Sequence, residues 1–191
     1  MFRQINTLGA VAGIRTARVV AGAIAILAVA WSSSAAADDA RIAAELRCLA
    51  QNIYFEARNE PDTGMIAVGQ VVLNRVEDRR FPTTICAVVR QGGHRQKYRC
   101  QFSWWCDGLS DRPRNKAAWR QAQALAFILY WGFVDDTTGG ALWYHADYVK
   151  PRWRTSFEQG PKFGRHIFYR RDTNPDLPPF LREYAQLGLR F

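Results

Sequence analysis

All four cysteines of the chain, Cys48, Cys86, Cys100 and Cys106, fall in one stretch of the sequence. Whether they staple the fold depends on the compartment, and the N-terminus addresses that question. Arg3, Arg15 and Arg18 precede an uncharged run of 13 residues from Val19 to Trp31. A membrane span takes about 20 residues, whereas this length suits the apolar part of a secretory signal peptide. Ser32-Ser33-Ser34 and Ala35-Ala36-Ala37 follow, and such small residues fit signal peptidase. Cleavage is therefore expected after Ala37, with residues 1–37 as the signal peptide; an uncleaved N-terminal anchor is the alternative. Either way the rest of the chain works outside the cytoplasm. The expected location is the periplasm, with no stable membrane insertion once the signal is removed.

In an oxidising compartment disulfides persist, and four cysteines allow three pairings. Cys100 and Cys106 are close enough to close a small ring around Gln101-Phe102-Ser103-Trp104-Trp105, so Cys100–Cys106 with Cys48–Cys86 is the favoured pairing, and the other two stay open. A zinc site competes, but no C-x-x-C pair is present and His94 is the only nearby histidine. No metal or cofactor is expected.

With 191 residues, 48% hydrophobic and 13% aromatic, the chain has room for one packed domain and is not globally disordered. The net charge of +9 includes the three arginines of the leader; without them 23 basic residues face 17 acidic ones, or +6. A moderately basic surface suits an anionic polymer. Export argues against nucleic acid, and nothing in the sequence asks for more than a monomer.

Asp38 and Asp39 are placed to cap a helix beginning near Ala40. Ile42, Leu46, Leu49, Ile53 and Ala57 give it an apolar stripe, and Asn59-Glu60-Pro61 ends it. Asp62 is placed to cap a second helix that buries Met65, Ile66, Val72, Leu73 and Val76. A short third helix is expected from Pro82 to Val89. Residues 91–114 read as an ordered but irregular loop, and Asn115 caps a further helix carrying Trp119, Ala122, Leu125, Ala126 and Leu129. Ala141–His145 and His166–Tyr169 are strand-like, joined by a basic-aromatic loop from Pro151 to Gly164. A proline-rich tail, 172–191, follows a catalytic domain of residues 38–171. Helices first and a small antiparallel sheet last predict an α+β fold.

The chemistry concentrates between Asn52 and Glu60. At roughly 100° per residue, Glu56 lies about 60° from the centre of the apolar stripe, at the edge of the buried face, with Arg47 and Arg58 opposite. A carboxyl there loses hydration and keeps its proton towards neutral pH, as a general acid must. The competing reading is an ion pair with a core-facing cation such as Arg75. If the helix persists, Glu60 stands at i+4 on the same side, one wall rather than two. Glycosidase carboxylates flank the sugar from opposite walls. Glu56 is thus read as acid/base and Glu60 as a structural, substrate-contacting or pKa-tuning partner, with Glu60 as the true acid an alternative.

Phe102, Trp104, Trp105, Trp143, Tyr144, Tyr148, Trp153 and Tyr169 lie in loops and short strands, where rings stack on the apolar faces of sugars. Gln101, Ser103, His145 and His166 offer hydrogen bonds to hydroxyls. Core packing is the competing reading and accounts for most of these rings, though less easily for Trp104-Trp105 beside Cys106-Asp107-Gly108.

The run from Cys48 to Glu60, with Tyr54-Phe55-Glu56-Ala57-Arg58-Asn59-Glu60 at its end, resembles the aromatic-x-Glu-Ala-Arg-Gly-Glu signature of SleB-type cell-wall hydrolases, the spore-cortex-lytic enzymes. Ala67-Val68, Leu73-Asn74-Arg75-Val76, Phe81 to Cys86, Gln101-Phe102-Ser103, Trp143-Tyr144-His145, Trp153 and Gly164 to Tyr169 continue the resemblance in order, over about residues 45–170. The resemblance implies a lysozyme-like α+β domain that cuts peptidoglycan glycan strands, with Glu56 at the position of the family's catalytic glutamate. Asn59 replaces the usual glycine, a residue that still tolerates a left-handed helix end. The peptidoglycan-binding repeats of spore enzymes are not matched, so a role in germination is not implied.

The leading expectation is a lytic transglycosylase-like muramidase that uses one carboxyl at the bond between MurNAc and GlcNAc. Two other functions compete. A zinc amidase would recruit His94, His145 and His166, and a non-catalytic protein would only dock on peptidoglycan.

Overall fold

The computed structural model describes the backbone of residues 14–92 and 99–171 and the side chains from Ala35 onward. His94 and the expected tail, 172–191, lie outside the described residues. The chain divides into two compact units, Met1–Ala43 and Ala44–Phe191. The first holds the N-terminal part of helix α1 (Ile14–Ala57). Among the described residues no helix is long and apolar enough to cross a membrane. The expected helix start at Ala40 is corrected, because α1 runs straight through Asp38 and Asp39. Alanines on both sides favour helix strongly enough to outweigh the capping preference of the two aspartates. Asp38 instead lies 3.5 Å from the Arg41 guanidinium, one turn on.

The second unit packs the end of α1 with α2 (Asp62–Glu77), α3 (Ile85–Val89) and α4 (Lys116–Tyr130) beside a sheet of β1 (Trp143–Ala146), β2 (Glu158–Phe163) and β3 (His166–Arg170). This is the expected α+β order. The apolar stripe of α1 works only in its last turns: Leu49, Ile53 and Ala57 are buried, and no described side chain before Cys48 is. They meet Met65, Val68, Val71 and Val72 of α2, Val88 and Val89 of α3, Ala122, Leu125, Ala126 and Leu129 of α4, and Phe168 of β3. At Gly69 a Cβ would stand 2.6 Å from Leu129 and 2.9 Å from Ile53, so α2 passes between α1 and α4 only because that residue has no side chain.

The caps explain the helix boundaries. Asn115 Oδ1 accepts from the backbone N–H groups of Ala117 and Ala118, as expected. Thr84, two residues after Pro82, is the cap of α3 and accepts from Ala87 N–H. Asp62 is the first residue of α2 rather than its cap. Its carboxylate accepts from Gln121 Nε2 at 2.6 Å, joining α2 to α4.

Both expected disulfides are present. Cys48–Cys86 joins α1 to α3, and Cys100–Cys106 closes the small ring. The loop that contains this ring is anchored to α1. Gln51 Nε2 donates to Asp111 O at 3.1 Å, and Tyr54 Oη accepts from the N–H groups of Arg114 and Asn115.

The sheet is antiparallel in the order β1-β3-β2, with Trp143 opposite Tyr169 and Ala146 opposite His166. β2 corrects the expected Pro151–Gly164 loop. It is an edge strand whose register shifts between Gln159 and Lys162, where Gly160-Pro161 sits. A proline is tolerated at a bulge on an edge, and it hides the strand from pattern reading.

Candidate active site

Glu56 occupies the last turn of α1, half-buried, in a cleft of about 610 Å³. β1 and the segment around Ser103–Asp111 complete the walls. Tyr144 is placed by α2. Asn74 Nδ2 donates to Ala141 O at 3.0 Å and to Asp136 Oδ2 at 3.1 Å, and Arg75 Nε donates to Leu142 O at 2.8 Å. These bonds hold the strand that begins one residue later. Tyr144 Oη then donates to Glu56 Oε2 at 3.1 Å.

Burial pushes the Glu56 carboxyl above its ordinary range, and the Tyr144 hydrogen bond and the Arg75 charge partly offset the rise. Burial and the neighbouring Glu56 push the Tyr144 phenol up, so it stays a donor. Arg75 is fully buried between the rings of Phe81 and Phe102, 5.2 Å from each centroid. Burial lowers it to about 10, which leaves it charged at neutral pH. No direct ion pair joins Arg75 to Glu56 among the described residues. Glu56 is thus a carboxyl raised by burial near a buried cation rather than one half of a direct ion pair. Such a group meets the requirement for a general acid.

Five of the expected site residues come together here: Glu56, Ser103, Tyr144, His145 and His166 all line the cleft, with Trp104 and Tyr148 from the aromatic census. Trp104 stacks on Phe55 at 4.8 Å and donates from Nε1 to the buried Asn52. Burial lowers the pKa of His166, and among the described residues its Nδ1 has no partner.

Other expected residues sit elsewhere. Phe102 belongs to the core under Arg75, and Gln101 is exposed and outside the cleft lining. Tyr169 and Trp153 pack around His145, which they orient. Both His145 ring nitrogens are engaged, Nε2 with Tyr169 Oη and Nδ1 with Ala146 O, which removes it as a free metal ligand. Trp143 stacks on Phe157 at 3.9 Å, away from the cleft lining.

Glu60 requires a correction. α1 ends at Ala57, so Glu60 is not at i+4 of a continuing helix. Its Oε2 accepts from the backbone N–H of Arg165 at 2.8 Å. Gly164, at φ +55°, makes that approach possible, since a Cβ there would stand 1.9 Å from Glu60 Oε2. Glu60 ties the end of α1 to the β2–β3 turn, and burial rather than Glu60 raises the Glu56 carboxyl.

Three charged cleft residues, Arg58, Asp107 and Asp111, are not among those the sequence points to. Arg58 was placed on the far side of the helix, but the chain leaves the helix at Ala57 and Arg58 lines the cleft. Asp107 and Asp111 supply carboxylates on a wall other than α1, where none was expected. Burial, with the charge of Asp107, pushes Asp111 up. Their signal was present in Cys106-Asp107-Gly108, beside two tryptophans.

The sequence profile of the cell wall hydrolase family matches residues 59–169, a span that begins just after Glu56. A spore cortex-lytic enzyme from Bacillus cereus is 32% identical over 125 residues, 65% of this chain and 43% of that protein. One from Bacillus subtilis is also 32% identical, over 65% of this chain and 37% of its own length. The chain thus spans less than half the length of these curated relatives. Among solved structures, the catalytic domain of the germination-specific lytic transglycosylase SleB from Bacillus anthracis is 30% identical with a TM-score of 0.54, covering 66% of this chain and 93% of that domain. The catalytic domain of the Bacillus cereus SleB protein has a TM-score of 0.50 at 29% identity, covering 66% of this chain and 89% of that one. Since the family match takes in more than half of its residues, the chain belongs to the cell wall hydrolase family.

Proposed function

We propose that the protein is an exported enzyme that cleaves the glycan strands of peptidoglycan between MurNAc and GlcNAc, with Glu56 as the acid/base. One observation carries the reading: a half-buried carboxyl, pushed towards its protonated form by burial, sits in a cleft and is held by the Tyr144 hydroxyl. The names of the SleB relatives support it.

In the proposed reaction Glu56 gives its proton to the glycosidic oxygen as the bond to the MurNAc anomeric carbon breaks. The positive centre that develops is stabilised by the substrate's own acetamido carbonyl. The Glu56 carboxylate, steadied by Tyr144 and the buried charge of Arg75, then takes the proton of the MurNAc C6 hydroxyl, and O6 bonds to the anomeric carbon. The product is a 1,6-anhydro sugar, no water is consumed, and Glu56 ends protonated. The exposed Tyr148 supplies a face for a sugar ring, and Ser103 and His166 supply polar contacts.

Asp107 and Asp111 favour a second reading, hydrolysis, in which one of them activates a water from a wall other than α1. Purified protein incubated with peptidoglycan, followed by mass spectrometry of the sugar ends, separates the two. Anhydro ends are lighter than reducing ends by one water. Cleavage with neither end formed contradicts both.

Export rests on the leader sequence. Among the described side chains, cleavage after Ala37 removes only the exposed Ala35, Ala36 and Ala37, and core burial begins at Cys48. It also leaves Asp38 and Asp39 in the first turn of a shortened α1, where negative charge is stabilising. A periplasmic location and a monomer are proposed with it.

A further inference from the structure

A second space, of about 250 Å³, adjoins the cleft. Glu56, Arg58, Tyr148 and His166 line both, and Glu60 and Arg165 line only the smaller one. This extension carries two guanidiniums, each laid on an aromatic ring. Arg58 lies 5.2 Å from the centroid of Tyr54, and Arg165 lies 4.9 Å from that of Tyr148. Tyr54 is itself fixed by the backbone N–H groups of Arg114 and Asn115. A ring beneath a guanidinium supports its plane and leaves the N–H fork at the edge free to bind.

The acidic neighbours do not use those forks. Glu60 is engaged by the backbone N–H of Arg165, and Asp147, whose charge is felt near Arg165, pairs with Lys162 Nζ at 2.8 Å. Burial pushes Glu56 towards its protonated form and His166 towards its neutral one. Among the described residues neither Arg58 nor Arg165 forms a side-chain ion pair. Two oriented cations therefore face a space that begins at the candidate acid.

We propose that Arg58 and Arg165 form an anion subsite for a carboxylate carried by the glycan. Guanidiniums grip carboxylates through paired N–H bonds. The carboxylate belongs either to the lactyl group of a muramic acid or to a peptide stem attached to it. The inference rests on the reading of the cleft as a glycan-strand site and deepens it. The subsite sorts acid-bearing from neutral amino-sugar chains and sets which way the strand lies across Glu56.

The test measures binding with the full chain carrying Glu56→Gln, so that turnover does not intervene. The probes are soluble glycan fragments with peptide stems, fragments stripped of stems by an amidase, and both sets with their carboxylates converted to amides. The acid-bearing fragments are expected to bind at least about tenfold more tightly than their amides, and adding Arg58→Gln and Arg165→Gln abolishes that difference. The tighter of the two acid-bearing fragments identifies the source of the carboxylate, and equal affinities mean that either serves. Amides that bind as well as acids, or arginine substitutions that weaken all probes in the same proportion, overturn the subsite while leaving the glycan reading intact. Failure of the glycan reading looks different: no probe binds at all, and the wild-type protein releases no sugar ends from peptidoglycan, which overturns both.

Discussion

Tyr144 and Glu56, 88 residues apart in sequence, meet through a 3.1 Å hydrogen bond from the phenol to carboxylate oxygen Oε2. The bond favours the ionised carboxylate and so works against burial. Removing it with Tyr144→Phe raises the Glu56 pKa further. Activity that needs the protonated acid is lost as pH climbs through that value, so the alkaline limb of the rate profile moves to higher pH in the variant. A limb that stays in place or moves down contradicts the assignment.

Glu60 has a different role, and the two charges separate experimentally. Glu60→Gln keeps an oxygen for the Arg165 N–H and leaves the alkaline limb where it is. Glu60→Ala loses the bond and destabilises the fold by about 1 kcal/mol. Gly164→Ala costs more, roughly 1–3 kcal/mol, because a side chain is forced into a left-handed backbone and onto the Glu60 carboxylate. Thermal melts and rate profiles of the three variants check this. A downward shift of the limb in Glu60→Gln would restore the charge coupling that the sequence reading allowed.

Much of this was legible in the sequence where a single local signal decides the outcome. Asn115 caps α4 because an amide oxygen before a helical stripe has two orphan N–H groups to satisfy. Helical periodicity places Glu56 at the edge of the stripe, and the structure has it half-buried in the last turn of α1. What was missed depends on tertiary context. The helix ends at Ala57, ahead of the proline signal, and this moved both Arg58 and Glu60. β2 carries Gly160 and Pro161 and is held by its pairing with β3. Asn52 and Arg75 are polar yet fully buried, because Trp104 Nε1 and Leu142 O reach them from distant parts of the chain.

The raised pKa of Glu56 also makes a stability prediction. A carboxyl whose folded pKa lies above its unfolded one adds no penalty below the unfolded value, near 4.5. Stability then falls as pH rises towards and through the folded pKa, since only the unfolded chain ionises the group freely. The Tm of Glu56→Gln relative to wild type is therefore higher at pH 7 than at pH 4. Equal differences at both pH values contradict a Glu56 whose pKa is raised by burial.

The Cys48–Cys86 bridge closes a loop with a sequence separation of 38 and ties the α1 end that carries Glu56 to α3. Replacing both cysteines by alanine costs about 4 kcal/mol by the loop-closure argument. Denaturant unfolding of the oxidised protein and the double variant measures it. Equal midpoints would show that the bridge contributes nothing to holding that helix.

In the proposed reaction the Glu56 carboxyl performs the chemistry. The direct measurement is the rate of sugar-end release from peptidoglycan by Glu56→Gln, with its melting temperature taken in parallel. Glutamine keeps the shape and the oxygen that Tyr144 reaches, but it cannot supply the proton. A loss of at least about 10²-fold in a folded protein is the predicted result. A folded Glu56→Gln protein with wild-type activity would contradict the account.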